Sequence, residues 1–223
     1  MALVLNIETA TTNCSVSLSK DGETLVLKED NSSGYSHAET LHLFIDEVFK
    51  ISEIKPTEID AIAVSKGPGS YTGLRIGVSS AKGLCFALNK PLIAISTLVS
   101  LAHQLQIDNG LIIPMLDARR MEVYSAIYNS KLELVRGIEA EILTEESYNE
   151  LLKTNKVYFI GNGVEKTKGL IQHPNAIYVE GKLPSANEMA LLAEQKYKKS
   201  DTEDVAYFEP YYLKDFVALK KKN

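Results

Sequence analysis

The chain is 223 residues long, 45% hydrophobic and 24% charged, which leaves room for one large domain or two small ones around a real core. Its formal net charge is -5, with basic clusters at Lys198–Lys199 and Lys220–Lys222, which argues against a stand-alone nucleic-acid binder; another subunit would supply most contacts to any RNA. A charged-then-apolar leader and a bilayer-length apolar run are missing, and Cys14 and Cys85 lack metal spacing in segments expected to be buried, so a reduced, cytoplasmic chain with no membrane role is expected.

The first element, "LVLNIETA", is a short run of β-formers ending in a carboxylate, Glu8. In "NCSVSLSKDGETLVLKED" two alternating runs flank Asp21–Gly22, a hairpin signal because both turn residues must take positive φ. Ser36 precedes Glu39 by three, a capping box, and Leu41, Phe44, Ile45, Val48 and Phe49 follow as one helical apolar stripe. "DAIAVS" reads as a buried strand entering "KGPGSYTGLRIGVSSAKGL", where Gly67 and Gly69 around Pro68 suit a tight turn and Ser70 or Thr72 an N-cap. The helix opened there carries only Arg75 and Lys82 as charges between Tyr71 and Leu88. Leu74, Val78, Ala81, Cys85 and Leu88 mark one face; Ile76, Ser80, Gly83, Leu84 and Ala87 leave the others apolar or small, so it cannot turn a full side to water. Gly73, Gly77 and Gly83 each cost about 1 kcal/mol of helix propensity relative to alanine, so compensating close approach is expected, to its own sheet and to a second helix or another subunit. "PLIAIS" is the next strand and "TLVSLAHQLQ" a helix.

The second half repeats this order. "LIIPMLDA" is an apolar strand ending in Asp117, "EVYSAIY" and "LELVRGIEAEIL" form a hairpin around Asn129–Lys131, and "TEESYNELLK" is a helix. "KVYFIGNG" and "AIYVEG" are strands, and Ser185 with Glu188 caps the helix "NEMALLAEQKYKK". Glu8 matches Asp117 in place, and Gly67 matches Gly161. Three meander strands followed by β-α alternation predict an α/β protein of two ribonuclease-H-like lobes, the actin-like (ASKHA) plan, with an abbreviated second lobe. The lobes are expected at 1–108, carrying the partner-binding helices, and 109–223, with the tail after Asp201 packing back on the first.

A phosphotransferase of this plan needs a carboxylate for Mg²⁺ or the nucleophile, glycine turns on both lobes and a nucleoside pocket. Glu8, Thr9, Gly67, Gly69, Asp117, Gly161 and Gly163 would be its vestigial nucleotide-facing residues, but no glycine-rich nucleoside loop follows. Bonding nearby N–H groups at strand ends is the commoner role for such carboxylates. The Gly67 loop is no Walker-type loop, since Gly-Lys-Ser/Thr is missing. His37 and His42 lie about 140° apart around a helix, a poor metal pair, and His103 and His173 have no companions, so surface or capping roles and no metal site are expected. A ribonuclease-H nuclease would want a carboxylate where the fourth strand ends in Ser65 and Lys66, and Ser70, Cys14 and Cys85 have no base nearby; no catalytic residue is assigned.

"LNIETATTNCSVSL", "KGPGSYTGLRIGVSSAKGL", "PMLDARRMEVYSAIY" and "EPYYLK" resemble, in order and over nearly the full length, the TsaB (YeaZ) family. That resemblance implies the two-lobe actin-like fold and a non-catalytic partner of TsaD in making threonylcarbamoyladenosine, on the adenosine 3′ of the anticodon in ANN-decoding tRNAs. TsaD-type paralogues carry a His-x-x-x-His metal motif where this chain has "STLVSLAHQ". It also implies that helices over His37–Ile51 and Thr72–Leu88 bundle with the partner or, in the isolated chain, with a second copy, through Leu41, Phe44, Arg75, Val78, Ser79 and Lys82. No cofactor of its own is implied; ATP and a metal ion belong to the partner subunits, a TsaE-type ATPase joins through the complex, and tRNA is met indirectly. Glu8 stands where many members have aspartate, and Ala10 where serine is common. The competing readings are a small-molecule kinase or phosphotransferase and a metallopeptidase; the latter lacks a zinc set, base and nucleophile.

Overall fold

The computed structural model describes residues 2–31 and 37–214. Ser36 of the expected capping box, Asp215 and Phe216 of the tail, and Lys220–Lys222 lie outside them. Strands β1 (Leu3–Glu8), β2 (Cys14–Lys20), β3 (Glu23–Asp30), β4 (Ala61–Gly67) and β5 (Leu92–Ser96) form one sheet in the order β3-β2-β1-β4-β5. β6 (Leu111–Asp117), β7 (Glu122–Asn129), β8 (Leu134–Ile142), β9 (Val157–Ile160) and β10 (Ala176–Val179) form a second, β10-β9-β6-β7-β8. In each sheet the first strand runs antiparallel to the second and parallel to the fourth, so the two lobes repeat one topology. Asp21 and Gly22 both take positive φ, which gives the β2–β3 hairpin its two-residue turn.

The second lobe keeps all five strands and is abbreviated in its helices. α1 (His37–Ser52) and α2 (Tyr71–Leu88) run 16 and 18 residues, whereas α4 (Asn149–Thr154) and α5 (Val164–Leu170) run 6 and 7. The helix expected over "TEESYNELLK" starts only at Asn149, because Tyr148 takes φ +63°. That turn sends its ring against Phe159 and its hydroxyl to Glu141 Oε2 at 2.6 Å. α5 escapes a periodicity reading because seven residues with Gly169 make too short a stripe.

The first core is built as the apolar stripes dictate. Leu5 and Ile7 of β1, Ile62 and Val64 of β4, Leu41, Ile45, Val48 and Phe49 of α1, and Val78, Ala81 and Cys85 of α2 pack together on one sheet face. Burial of such side chains is worth roughly 1.5–3 kcal/mol each. The opposite face is covered by α6 (Ala186–Lys198), the last helix among the described residues. Small residues Ala2, Ala61 and Ala63 admit Ala186, Met189 and Ala193 closely. A hydroxyl row on β2 fixes the start of α6: Ala186 N donates to Ser15 Oγ at 3.0 Å, and Ser17 Oγ donates to Ala186 O at 2.8 Å. Ser185 caps α6 by accepting from Asn187 N, while Glu188 turns instead to Gln104 and Asn187. Conversely α3 (Thr97–Ala102), which follows the first sheet, lays Leu98, Leu101 and Ala102 on Ile112, Leu116, Ala126 and Ile160 of the second. The lobes thus exchange covering helices across the connection near residue 108.

Candidate functional site

Between the lobes lies a cleft of about 760 Å³, walled by Ala10 and Thr11 after β1, Pro68–Thr72 at the head of α2, Asp117–Arg119, Asn162, and Tyr211–Lys214 of the tail. Its two strand-end carboxylates perform the same local duty. Glu8 Oε1 accepts from Ala10 N and Asp117 Oδ1 from Arg119 N, each two residues on and each at 2.6 Å. Their surroundings differ. Glu8 is fully buried, and burial pushes its pKa up to about 7 against the pull of the Ala10 N–H, the Ser65 hydroxyl and the Thr9 N–H. Its second oxygen has no hydrogen-bond partner among the described residues. Asp117 is exposed and paired with Lys166 Nζ at 2.8 Å. The same ammonium donates to Arg120 O and Glu122 O, clamping a turn in which Arg119 and Arg120 both have positive φ.

The fold plan implies a nucleotide with its metal in this cleft, and these residues do not fit one. A divalent cation needs accessible anionic oxygens. Glu8 offers no surface and is only about half ionised near pH 7, while Lys166 already supplies the charge facing Asp117. Gly161 and Gly67 share a positive φ, but each approaches protein rather than open space. A Cβ at Gly161 would lie 2.3 Å from Met115 O, and one at Gly67 2.9 Å from Tyr211 O. At Gly163 it would meet Val123 Cγ1 at 3.0 Å, and at Gly69 Ala10 O at 2.5 Å. Thr9 is buried and donates to Gly73 O.

Two of the three glycines of α2 have the same internal use. Cβ atoms at Gly73 and Gly77 would lie 2.1 Å from Thr9 O and 2.2 Å from Thr9 Oγ1, so α2 rides on the first turn of its own chain. A Cβ at Gly83 would meet nothing within 4 Å among the described residues, and the position faces solvent. Ser70 provides the N-cap, accepting from Gly73 N, and Asn89 closes the helix in the left-handed region.

Of the residues expected to meet a partner, two are corrected by this packing. Leu41 is fully buried and Val78 4% exposed, because both fill the first core, so neither reaches a surface. Phe44 is half-buried against that core. Arg75 is exposed but bonds Tyr71 OH at 3.1 Å, and Lys82 Nζ donates to Ala206 O and Phe208 O of the tail. Ser79 is exposed. What α1 and α2 present outward is Phe86, 85% exposed, Leu43, 60%, and Ile51, 56%. His37 is buried rather than superficial: its Nε2 lies 2.6 Å from Thr11 O, tying α1 to the β1–β2 turn, and burial lowers its pKa.

The family model for tRNA N6-adenosine threonylcarbamoyltransferase (TsaD) matches residues 31–222. The tRNA threonylcarbamoyladenosine biosynthesis protein TsaB of Escherichia coli strain K12 is 32% identical over 226 residues, 98% of this chain and 97% of that protein. The chain belongs to the TsaB (YeaZ) family. YeaZ from Pseudomonas aeruginosa superposes with a TM-score of 0.82 at 26% identity, covering 96% of this chain and all of that one. The fold alone is shared with an activator of 2-hydroxyisocaproyl-CoA dehydratase from Clostridium difficile with bound ADPNP, at a TM-score of 0.50 and 11% identity over 90% and 96% of the two chains.

Leu41 and Val78 were drawn from the apolar stripes that the first core takes up, whereas Arg75, Ser79 and Lys82 lie off the stripe of α2. Leu43 and Phe86 lie off the apolar stripes, and both are exposed. An apolar residue off the main stripe was the available signal. Lys166 gave no motif; only the fold brings it under the β6–β7 turn.

Proposed function

We propose that this chain serves tRNA threonylcarbamoyladenosine biosynthesis as a non-catalytic docking subunit for a TsaD-type catalytic partner, on tRNAs that decode ANN codons. The observation that carries this reading is the outer α1–α2 face, where Phe86, Leu43 and Ile51 stand in solvent on two neighbouring helices. Large apolar side chains exposed on rigid elements are the anchors that interfaces bury. The carboxylates support the same reading from the other side, since Glu8 is sealed and Asp117 is neutralised by Lys166. On this account ATP and the metal ion reside on the partner subunits, and a TsaE-type ATPase joins through the complex. In the isolated chain the same face pairs with a second copy. With a net charge of -5, the subunit leaves tRNA contact to its partners in the cytoplasm. A small-molecule phosphotransferase would need a solvated cleft carboxylate free of Lys166.

The test is Phe86→Asp together with Leu43→Asp, assayed for co-purification with the TsaD-type subunit of the same cell and for thermal stability. Loss of pairing by a chain that still melts cooperatively as a folded monomer is expected. A retained complex refutes the docking face, and ATP turnover by the isolated chain refutes the non-catalytic role.

A further inference from the structure

The tail after α6 makes a sequence of contacts that the docking role does not require. Glu203 N donates to Leu92 O at 2.8 Å, adding a bridge at the free edge of β5. Lys82 then holds the carbonyls of Ala206 and Phe208, and Val205 and Phe208 pack on the first core. Tyr211 N donates to Lys66 O at 2.7 Å, and the Tyr212 ring meets that of Tyr71 with centroids 4.9 Å apart. All these anchors belong to the first lobe. The next one does not: Lys214 Nζ lies 2.5 Å from both carboxylate oxygens of Glu122, on β7 of the second lobe. Tyr211–Lys214 therefore pass from one lobe to the other while forming part of the cleft wall.

Gly67 shows that the wall is shaped for this passage. Any side chain there would come within 2.9 Å of Tyr211 O and 3.0 Å of Leu74 Cδ1. We infer that Tyr211–Lys214 is an interlobe latch, a strap whose Lys214–Glu122 pair ties the lobes together at the cleft and holds the β6–β7 turn against the first lobe. The tie is separate from the exchange of α3 and α6, so the lobes are joined twice. Opening the cleft requires breaking the ion pair or peeling the tail back to Phe208.

Charge reversal tests the latch in the full chain. Lys214→Glu and Glu122→Lys are each expected to raise amide hydrogen exchange about three- to fivefold in Ala118–Met121 and Tyr211–Leu213, with helices α1 and α2 unchanged. The doubly reversed chain should return to within about twofold of the parent, because the pair is re-formed with opposite polarity. Tyr212→Ala, which removes the ring contact with Tyr71 and no charge, should loosen the same two segments. Exchange in those segments unchanged by the single reversals, or a double reversal as loose as the singles, would overturn the latch.

Discussion

Glu8→Gln should make the protein more stable at neutral and alkaline pH, and most so where the native carboxyl is forced to ionise. The folded pKa is about 7, against an ordinary value of 4.5. Below about pH 4.5 the group is protonated folded or unfolded and costs nothing. Between the two values the native state holds a proton that the unfolded chain releases, so stability falls by up to about 1.4 kcal/mol per pH step. Above about pH 7 both states are ionised, and the native state carries the whole penalty, on the order of 3 kcal/mol. Glutamine keeps an oxygen for the Ala10 N–H and cannot ionise. Part of the gain is lost because its amide nitrogen inherits a buried position that has no hydrogen-bond partner, so a net gain of about 2 kcal/mol is expected near pH 8. Near pH 5 the two proteins should be close to equal. Urea unfolding followed by circular dichroism across that range measures the difference directly. Parallel pH profiles for the parent and the variant would show that Glu8 is not the group that titrates, and the burial argument would fall.

Two further outcomes follow from the helix packing. Gly83→Ala should stabilise the protein by up to about 1 kcal/mol, since that position is solvent-facing with nothing within 4 Å, whereas Gly73→Ala meets Thr9 O at 2.1 Å and should cost more than about 2 kcal/mol. Equal melting temperatures for the pair would contradict the seating of α2 on the first turn. Val78→Glu should lower stability by more than about 3 kcal/mol rather than detach a partner from an intact fold, because it places a carboxylate in a site 4% exposed. A folded Val78→Glu protein that merely fails to pair would mean that this side of α2 faces outward.

The order of elements was legible because each signal is local. Asp21–Gly22 marks its hairpin, the Leu41–Phe49 stripe marks α1, and Ser70 and Ser185 mark the starts of α2 and α6. The duplicated carboxylate-ended strands disclosed the two lobes. What stayed illegible depends on contacts distant in sequence. No local pattern says that α6 returns to the first sheet while α3 crosses to the second, nor that Tyr148 leaves its helical turn to reach Glu141. The burial of Leu41 and Val78 escaped the sequence for a related reason. Periodicity identifies the side of a helix that is apolar, and in α1 and α2 that side is already taken by the chain's own sheet.

The opening glycines of α2 connect these observations. In sequence they look like a loop built to cradle phosphate; in the fold, their missing side chains admit the chain's own first turn. Ser70 N donates to Ala10 O at 2.7 Å, Thr9 Oγ1 donates to Gly73 O at 2.8 Å, and Gly77 leaves room for the Thr9 hydroxyl. That contact holds down the Thr9–Ala10 turn, and Ala10 N is the group that Glu8 accepts from. Burial of the carboxylate and the position of α2 are therefore one structural event. In the second lobe α5 is short, the corresponding turn is held by Lys166 instead, and its carboxylate stays in solvent. The lobe that closed over its acid is the lobe whose long helices carry Leu43 and Phe86 outward. Sealing Glu8 takes its oxygens out of reach of a metal ion, and the same contact gives α2 a fixed seat on the Thr9–Ala10 turn.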